Sequence, residues 1–210
     1  IRSGRPAVRQ HRAVTDRRAE RGEATRRHLV ETATRLFAER GYEATPVELV
    51  LAEAGVSRGA LYHHFASKEA LFEAALDAAQ AGVAVAVREA ARSAGDPLGA
   101  LRAGCATWLA LARDPVVRRI VLLDAPGVVG WERWREIDQR HSLGAVTATL
   151  RALAAEGRLT RALVDVHAHV LLAALTEVAL LIAQADDPEA ATERGEAVVE
   201  RLLSGLFGVR

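Results

Sequence analysis

The chain has 210 residues, half of them apolar but only 4% aromatic, with a formal charge of +1 and a single cysteine, Cys105. That length suits one domain or two small ones, with a core built mainly from alanine, leucine and valine, a composition that favours closely packed helices. One cysteine excludes an internal disulfide and a cysteine-rich metal site and fits a reducing cytoplasm. No unbroken apolar run reaches the roughly 20 residues of a membrane span, because Glu177 interrupts the longest.

The near-neutral total hides an uneven distribution. Residues 1–68 carry 13 basic against 8 acidic side chains, whereas residues 69–210 carry 15 against 19. Nine arginines fall within the first 28 residues, faced only by Asp16, Glu20 and Glu23. A basic front end on an acidic body points to a polyanionic partner for the front end, the plain alternative being a solvated tail. The first residues lack the apolar stretch of a signal peptide, so none is expected; with no methionine in the chain, Ile1 is not expected to be the native start.

In chain order, residues 1–23, with Gly4, Pro6 and scattered arginines, are expected to form a flexible basic arm. From Thr25 apolar residues recur at helical spacing (Leu29, Ala33, Leu36, Phe37), and Gly41 closes that helix. "TPVE" then predicts a second helix capped by Thr45, with Pro46 at the first helical position and Glu48 reaching back as capping-box partner. It ends at Gly55, a residue able to take the positive φ of a tight turn. Ser57 is expected to cap a short third helix ending near Phe65, and Ser67 a long fourth from Lys68 to about Ser93. Further helices are expected at about 98–112, 115–123, 131–156, 165–185 and 189–206, separated by Asp-Pro pairs, the break at 125–127 and Gly157. No stretch sustains strand alternation, so the fold class is all-α.

Two short helices joined through a glycine turn make a helix-turn-helix, whose second helix can lie in a DNA major groove. On the third helix Leu61 and Phe65 share one side, while Gly59, Tyr62 and His63 point away and Arg58 stands at the start. Arginine can donate bidentately to guanine O6 and N7, glycine lets backbone approach closely, and the rings can donate to phosphates.

The continuous stretch "TRRHLVETATRLFAERGYEATPVELVLAEAGVSRGALYHHFASKEALF", residues 25–72, resembles the DNA-binding domain of the TetR family of bacterial transcriptional regulators. The resemblance implies that Arg58 and Gly59 approach base edges, that Tyr62, His63 and His64 contact phosphates or nearby bases, that Lys68 pins a phosphate, and that Thr45 adds a contact to the DNA backbone. Ala60 and Val47 stand where relatives often carry a hydroxyl, so those two contacts are not expected. Glu48 reads bases in some relatives; here its capping role is favoured.

The resemblance also implies a homodimer on a pseudo-palindromic operator, with a small-molecule effector held in the C-terminal body. The dimer surface is sought in the last two helices, where residues 169–183 are apolar nearly all round and Val199, Leu202, Leu203 and Leu206 form a stripe. Candidate effector-lining residues are Cys105, Trp108, Trp131, Trp134, His169, Thr176 and Glu177. The tryptophans equally suit core anchors, and Glu177 equally suits an internal arginine or the dimer seam.

Enzyme chemistry finds little support. His167 and His169 face different directions on a helix, as do His63 and His64, and no phosphate-holding glycine loop is present. The expectation is therefore a cytoplasmic regulator with an arm (1–23), a helix-turn-helix domain (24–70) and an effector-binding and dimerisation domain (71–210). It needs no cofactor or metal, does not engage a membrane, and acts as a repressor released by a small, largely apolar effector. The alternatives are a ligand-independent regulator, favoured by a cavity-free interior beside Trp108 and Trp134, and a helical enzyme or carrier.

Overall fold

A computed structural model describes residues 7–207, with side chains from residue 20 onward. Its elements are helical throughout: α1 (Ala7–Arg40), α2 (Val47–Ala54), α3 (Arg58–His64), α4 (Lys68–Arg92) and α5 (Pro97–Leu111). There follow a π-helical stretch, Val117–Asp124, running straight into the single turn α6 (Ala125–Val128), then α7 (Trp131–Ala155), α8 (Val164–Gln184) and α9 (Pro188–Phe207).

Local chemistry explains most boundaries. Ser57 and Ser67 take extended backbone and accept from the amides of Ala60 and Ala70 at 3.2 and 3.1 Å, capping α3 and α4. Asp96 accepts from Leu98 and Gly99 in the same way, ahead of Pro97 at the start of α5. Gly55 closes α2 at φ +64°, a conformation that costs glycine nothing.

Four expectations need correction. The arm is helical from Ala7: residues 7–21 contain no glycine or proline and are rich in arginine and alanine, good helix formers that extend α1 backwards; residues 1–6 lie outside the described part. Thr45 does not cap α2, which has Pro46 at that position and no side-chain cap. The break at 125–127 is a helical turn instead, because Pro126 sits where a first-turn amide has no partner to lose. The true interruption is Gly130 at φ +80°. Finally, Lys68–Arg92 and Arg161–Gln184 are long and apolar enough to cross a membrane by length and composition, since alanine and isolated polar residues do not break the average. Both are packed into the bundle, α4 carrying the buried Gln80.

One continuous core joins the two ends of the molecule. At one end Leu29, Ala33, Leu36 and Phe37 of α1 meet Val50 of α2, Leu61 and Phe65 around α3, and Leu71, Phe72 and Ala75 of α4. Phe37, Tyr42 and Phe72 stack edge-on or tilted, with centroids 5.1 to 5.8 Å apart. At the other end α5, α7, α8 and α9 pack through Leu101, Leu109, Ile137, Leu150, Leu175, Ile182 and Leu203. Gly195 brings α9 close to α8: a Cβ there would stand 2.7 Å from a methyl of Val178.

The π-helical stretch links the two ends. Trp134 Nε1 donates to the carbonyl of Val121 at 2.8 Å, and Arg118 donates to the carbonyl of Ala183 at the end of α8 at 2.7 Å. The carboxylate of Asp124 accepts from the Tyr42 amide at 2.8 Å and lies 3.2 Å from Arg119. Asp124→Ala removes the acceptor of a half-buried amide and should lower stability by about 1–3 kcal/mol. The expected observation is a lower urea midpoint with an unchanged slope.

Candidate nucleic-acid interface and interior cavities

The turn at Gly55 sets α3 across α2 so that Leu61 is buried while Arg58, Gly59, Tyr62 and His63 face outward. A Cβ on Gly59 would find only the Ser57 hydroxyl, at 4.0 Å, so the chain's own packing does not demand glycine there. What the glycine supplies is bare backbone, open to close approach from outside. His63 and His64 sit edge-to-face with centroids 5.1 Å apart, and the guanidinium of Arg26 lies 5.3 Å over the Phe65 ring. The middle of α1 thus adds a further positive charge beside α3. A Cβ on Gly22 would stand 3.8 Å from the His64 ring, so the backward extension of α1 passes beside the same surface.

Arg58 is not alone. Its guanidinium pairs with the carboxylate of Glu48 on α2, both side chains remaining more than half exposed. The Glu48 carboxyl is held below its usual range, first by its own backbone N–H and then by Arg58. The capping role expected of Glu48 is therefore replaced by a bond across the turn, which fixes the direction of the arginine fork.

Thr45 also departs from expectation. It is fully buried, and its hydroxyl donates to the carbonyls of Gly41 at 2.8 Å and Leu36 at 3.3 Å. The nearer acceptor is the Gly41 carbonyl, just past the end of α1, and the bond withdraws the hydroxyl from any external phosphate.

Lys68 sits at the first position of α4, its ammonium 4.0 Å over the Tyr42 ring. Desolvation lowers its pKa, and Glu43 partly restores it. The contact is a cation–π interaction that orients the charge beside the positive end of α4.

Two cavities lie in the C-terminal body. The first, about 800 Å³ including its mouth, is walled by α4 (Gln80, Val83, Ala84, Val87), α5 (Leu101, Gly104, Cys105, Trp108), α7 and α8. The second, about 630 Å³, is lined by Trp131, Trp134, Arg135, Asp138, His169, Thr176 and Glu177 among others. Asp138, Leu172 and Thr176 line both. All seven residues expected from the sequence thus fall on one cavity or the other.

Their chemistry differs from residue to residue. Cys105 is buried and its thiol is pushed up to about 12 by desolvation, so it forms an inert, apolar piece of wall. Trp108 donates its indole N–H to the carbonyl of Leu175 at 3.2 Å, and Trp134 is spent on Val121, so these two offer ring surface. Trp131 is 54% exposed, with its ring 4.8 Å from that of Trp134. Apart from Thr176, the polar residues of the first cavity escaped the sequence reading: Gln80, Arg88, Asp138, His141, Ser142 and Thr149. One signal was available, since Gln80 is a lone polar residue in the inward stripe Phe72, Leu76, Gln80, Val83, Val87 of α4.

α8 and α9 also leave an apolar surface uncovered. Val166, Val170 and Leu181 are each 60% exposed, and Val198, Leu202 and Leu206 form an outward stripe on α9. Val199 and Leu203, grouped with that stripe in the sequence, instead face the core with Phe207. The difference is one residue of helical phase: 198, 202 and 206 repeat every four residues on one face, while 199, 203 and 207 occupy the next. Among the described residues no cluster of histidine, cysteine, aspartate or glutamate has the arrangement of a metal site.

Residues 29–75 match the family model described as bacterial regulatory proteins, tetR family, and residues 98–206 match that described as tetracyclin repressor-like, C-terminal domain. The chain is similar to the HTH-type transcriptional regulator AcrR of Shigella flexneri, with 33% identity over 84 residues, 40% of this chain and 39% of that protein. It is likewise similar to the HTH-type transcriptional repressor KstR2 of Mycobacterium tuberculosis, with 47% identity over 58 residues, 28% of this chain and 29% of that protein. The matched region therefore spans well under half the length of these curated relatives. Among solved structures, a TetR-family transcriptional regulator from Pectobacterium atrosepticum superimposes with a TM-score of 0.80 at 33% identity, covering 90% of this chain and 96% of that one. With both of its halves matched by family models and almost its whole length matched by a solved member, the chain belongs to the TetR family of bacterial transcriptional regulators, whose matched members are regulators and not enzymes.

Proposed function

We propose that the chain is a repressor acting as a homodimer on a pseudo-palindromic operator, released when a small, largely apolar effector enters the cavities of its body. The observation that carries this reading is α4. The helix begins at Lys68 beside the outward face of α3 and, four turns on, forms a wall of the first cavity through Val83, Ala84 and Val87. A ligand that prefers one position of that wall must change DNA affinity by the same factor with which DNA changes ligand affinity. The cavities lie beside Trp108 and Trp134, which favours the effector-responsive form over the ligand-independent one.

Within this reading Arg58, steered by Glu48, reads a base edge. Gly59 admits close approach, and Tyr62, His63, His64 and Lys68 position the helix on phosphates. The outward faces of α8 and α9 pair across a twofold axis into a four-helix bundle, setting the two copies of α3 about one DNA turn, roughly 34–36 Å, apart.

Selection from random duplexes with the purified protein should enrich a palindrome; failure to enrich any sequence sinks the repressor reading. Against that operator, Arg58→Ala should relax preference at one base pair per half-site and cost about 1–3 kcal/mol per contact. Lys68→Ala should weaken all sequences alike and reduce the salt slope by about 1. Fluorescence anisotropy at several salt concentrations separates the two.

The dimer has its own test. Leu202→Asp with Leu206→Asp leaves the core face of α9 intact and should convert the protein to a monomer in sedimentation velocity, with loss of operator binding. An unchanged dimer would move the interface elsewhere.

A further inference from the structure

We infer that Asp138 is the anchor for a protonated amine on an otherwise apolar effector, whose hydrocarbon part lies in the first cavity against α4 and α5. The inference rests on the effector-binding reading above and names the class of ligand. Asp138 is the one carboxylate among the residues lining the first cavity, and it also borders the second, so it stands at their junction. The walls of the first cavity are mostly apolar, through Val83, Ala84, Val87, Leu101, Cys105 and Leu172, and its other polar lining is Gln80, Arg88, His141, Ser142, Thr149 and Thr176.

This carboxylate lacks the compensation its neighbours receive. Its one side-chain hydrogen bond comes from the neutral amide of Gln80, and that bond is long, at 3.3 Å. The basic side chains along the α4–α7 seam are committed elsewhere. Arg140 and His141 both turn to Asp77, at 3.2 and 2.9 Å, and Arg133 bridges Glu73 and Glu136. Arg135, one turn before Asp138 on α7, lines the second cavity together with Glu177. Among the described residues no cation stands within 4.0 Å of Asp138. Desolvation accordingly pushes its pKa up, with Gln80, Arg135 and His141 opposing.

A carboxylate in apolar surroundings without a charged partner is costly to the free protein. A ligand that brings an ammonium restores the missing partner in a place where water screens it poorly, while its hydrocarbon gains the area of the walls. A primary amine resembles the lysine head group, with a pKa near about 10.4, and arrives charged at neutral pH. An anionic ligand meets the opposite situation. Arg88, the cation of the first cavity, is exposed and lies eight residues along α4 from Gln80, about 12 Å, where solvent weakens its pull.

The test is calorimetric titration of the purified protein with 1-aminooctane, 1-octanol and octanoate at neutral pH, each below its solubility or micellar limit. 1-Aminooctane should bind at least about tenfold more tightly than either of the others. Asp138→Asn keeps shape and the Gln80 contact, and should remove that preference while leaving 1-octanol affinity unchanged, which also shows that the variant is folded. Equal or tighter binding of 1-octanol or octanoate, or an undiminished preference for the amine in the variant, overturns the inference and leaves the effector reading standing. Should the variant bind none of the three, the wild-type ranking alone decides. If the wild type binds none of them, the inference falls, and a release screen on the operator-bound protein judges the effector reading separately.

Discussion

The structure depends on one rigid element serving two cores. Over 25 residues, about 38 Å, α4 gives Leu71, Phe72, Ala75 and Leu76 to the bundle formed with α1, α2 and α3. It then gives Gln80, Val83 and Ala84 to the body. Its first turn is held by Ser67, and its inward face has no gap between the two sets of contacts. A close-packed interior does not yield gradually, so a change in the volume behind Val83 or Ala84 is resisted along the whole helix. Neither half can be repacked without reference to the other.

A second contact closes the same loop from the other side. The Tyr42 amide is held by Asp124 at the end of the π-helical stretch, and the Tyr42 ring lies under the Lys68 ammonium and against Phe72. Lys68, the only lysine in a chain that otherwise uses arginine, is therefore placed by a ring whose own backbone is fastened to the body. A compact ammonium can sit centred over that face and still present donors outward; a planar guanidinium would stack and spend its fork there. The π-helical stretch is fastened in turn by Trp134, which anchors Val121 and whose ring belongs to the second cavity. Both routes from the cavities to α3 consist of packed or hydrogen-bonded groups.

Much of this was legible in the sequence because the information is local. Ser57, Ser67 and Gly55 mark helix ends through chemistry that reaches two or three residues, and the recurrence of Leu29, Ala33, Leu36 and Phe37 reports a face directly. Helical phase alone, with Leu61 and Phe65 on one side of α3, placed Gly59, Tyr62 and His63 on the other. The failures share a different physics. Thr45 and Glu48 pair with each other as a capping box in the sequence reading, but each has another partner set by how the helices fold back: the carbonyls of Gly41 and Leu36 for one, Arg58 across the turn for the other. The π-helical ladder of residues 117–124 leaves no mark in composition, and Asp138 lies in a polar run, RWREIDQRHS, where nothing local singles out the carboxylate that turns inward.

The apolar character of α8 shows how a pattern can be read correctly in kind and incompletely in number. A helix apolar all round was expected to serve a core and a partner. In the structure Leu171, Leu175, Ala179 and Ile182 fill the core, while Val166, Val170 and Leu181 look outward. A third strip between them, Leu172 and Thr176, lines both cavities, with His169 and Glu177 at the edge where cavity and outward face meet. His169, Thr176 and Glu177 are therefore neither accidents in a core nor scattered surface. They lie where three surfaces converge, so under the proposed function a ligand in the second cavity and a partner on the outward face would press on the same helix.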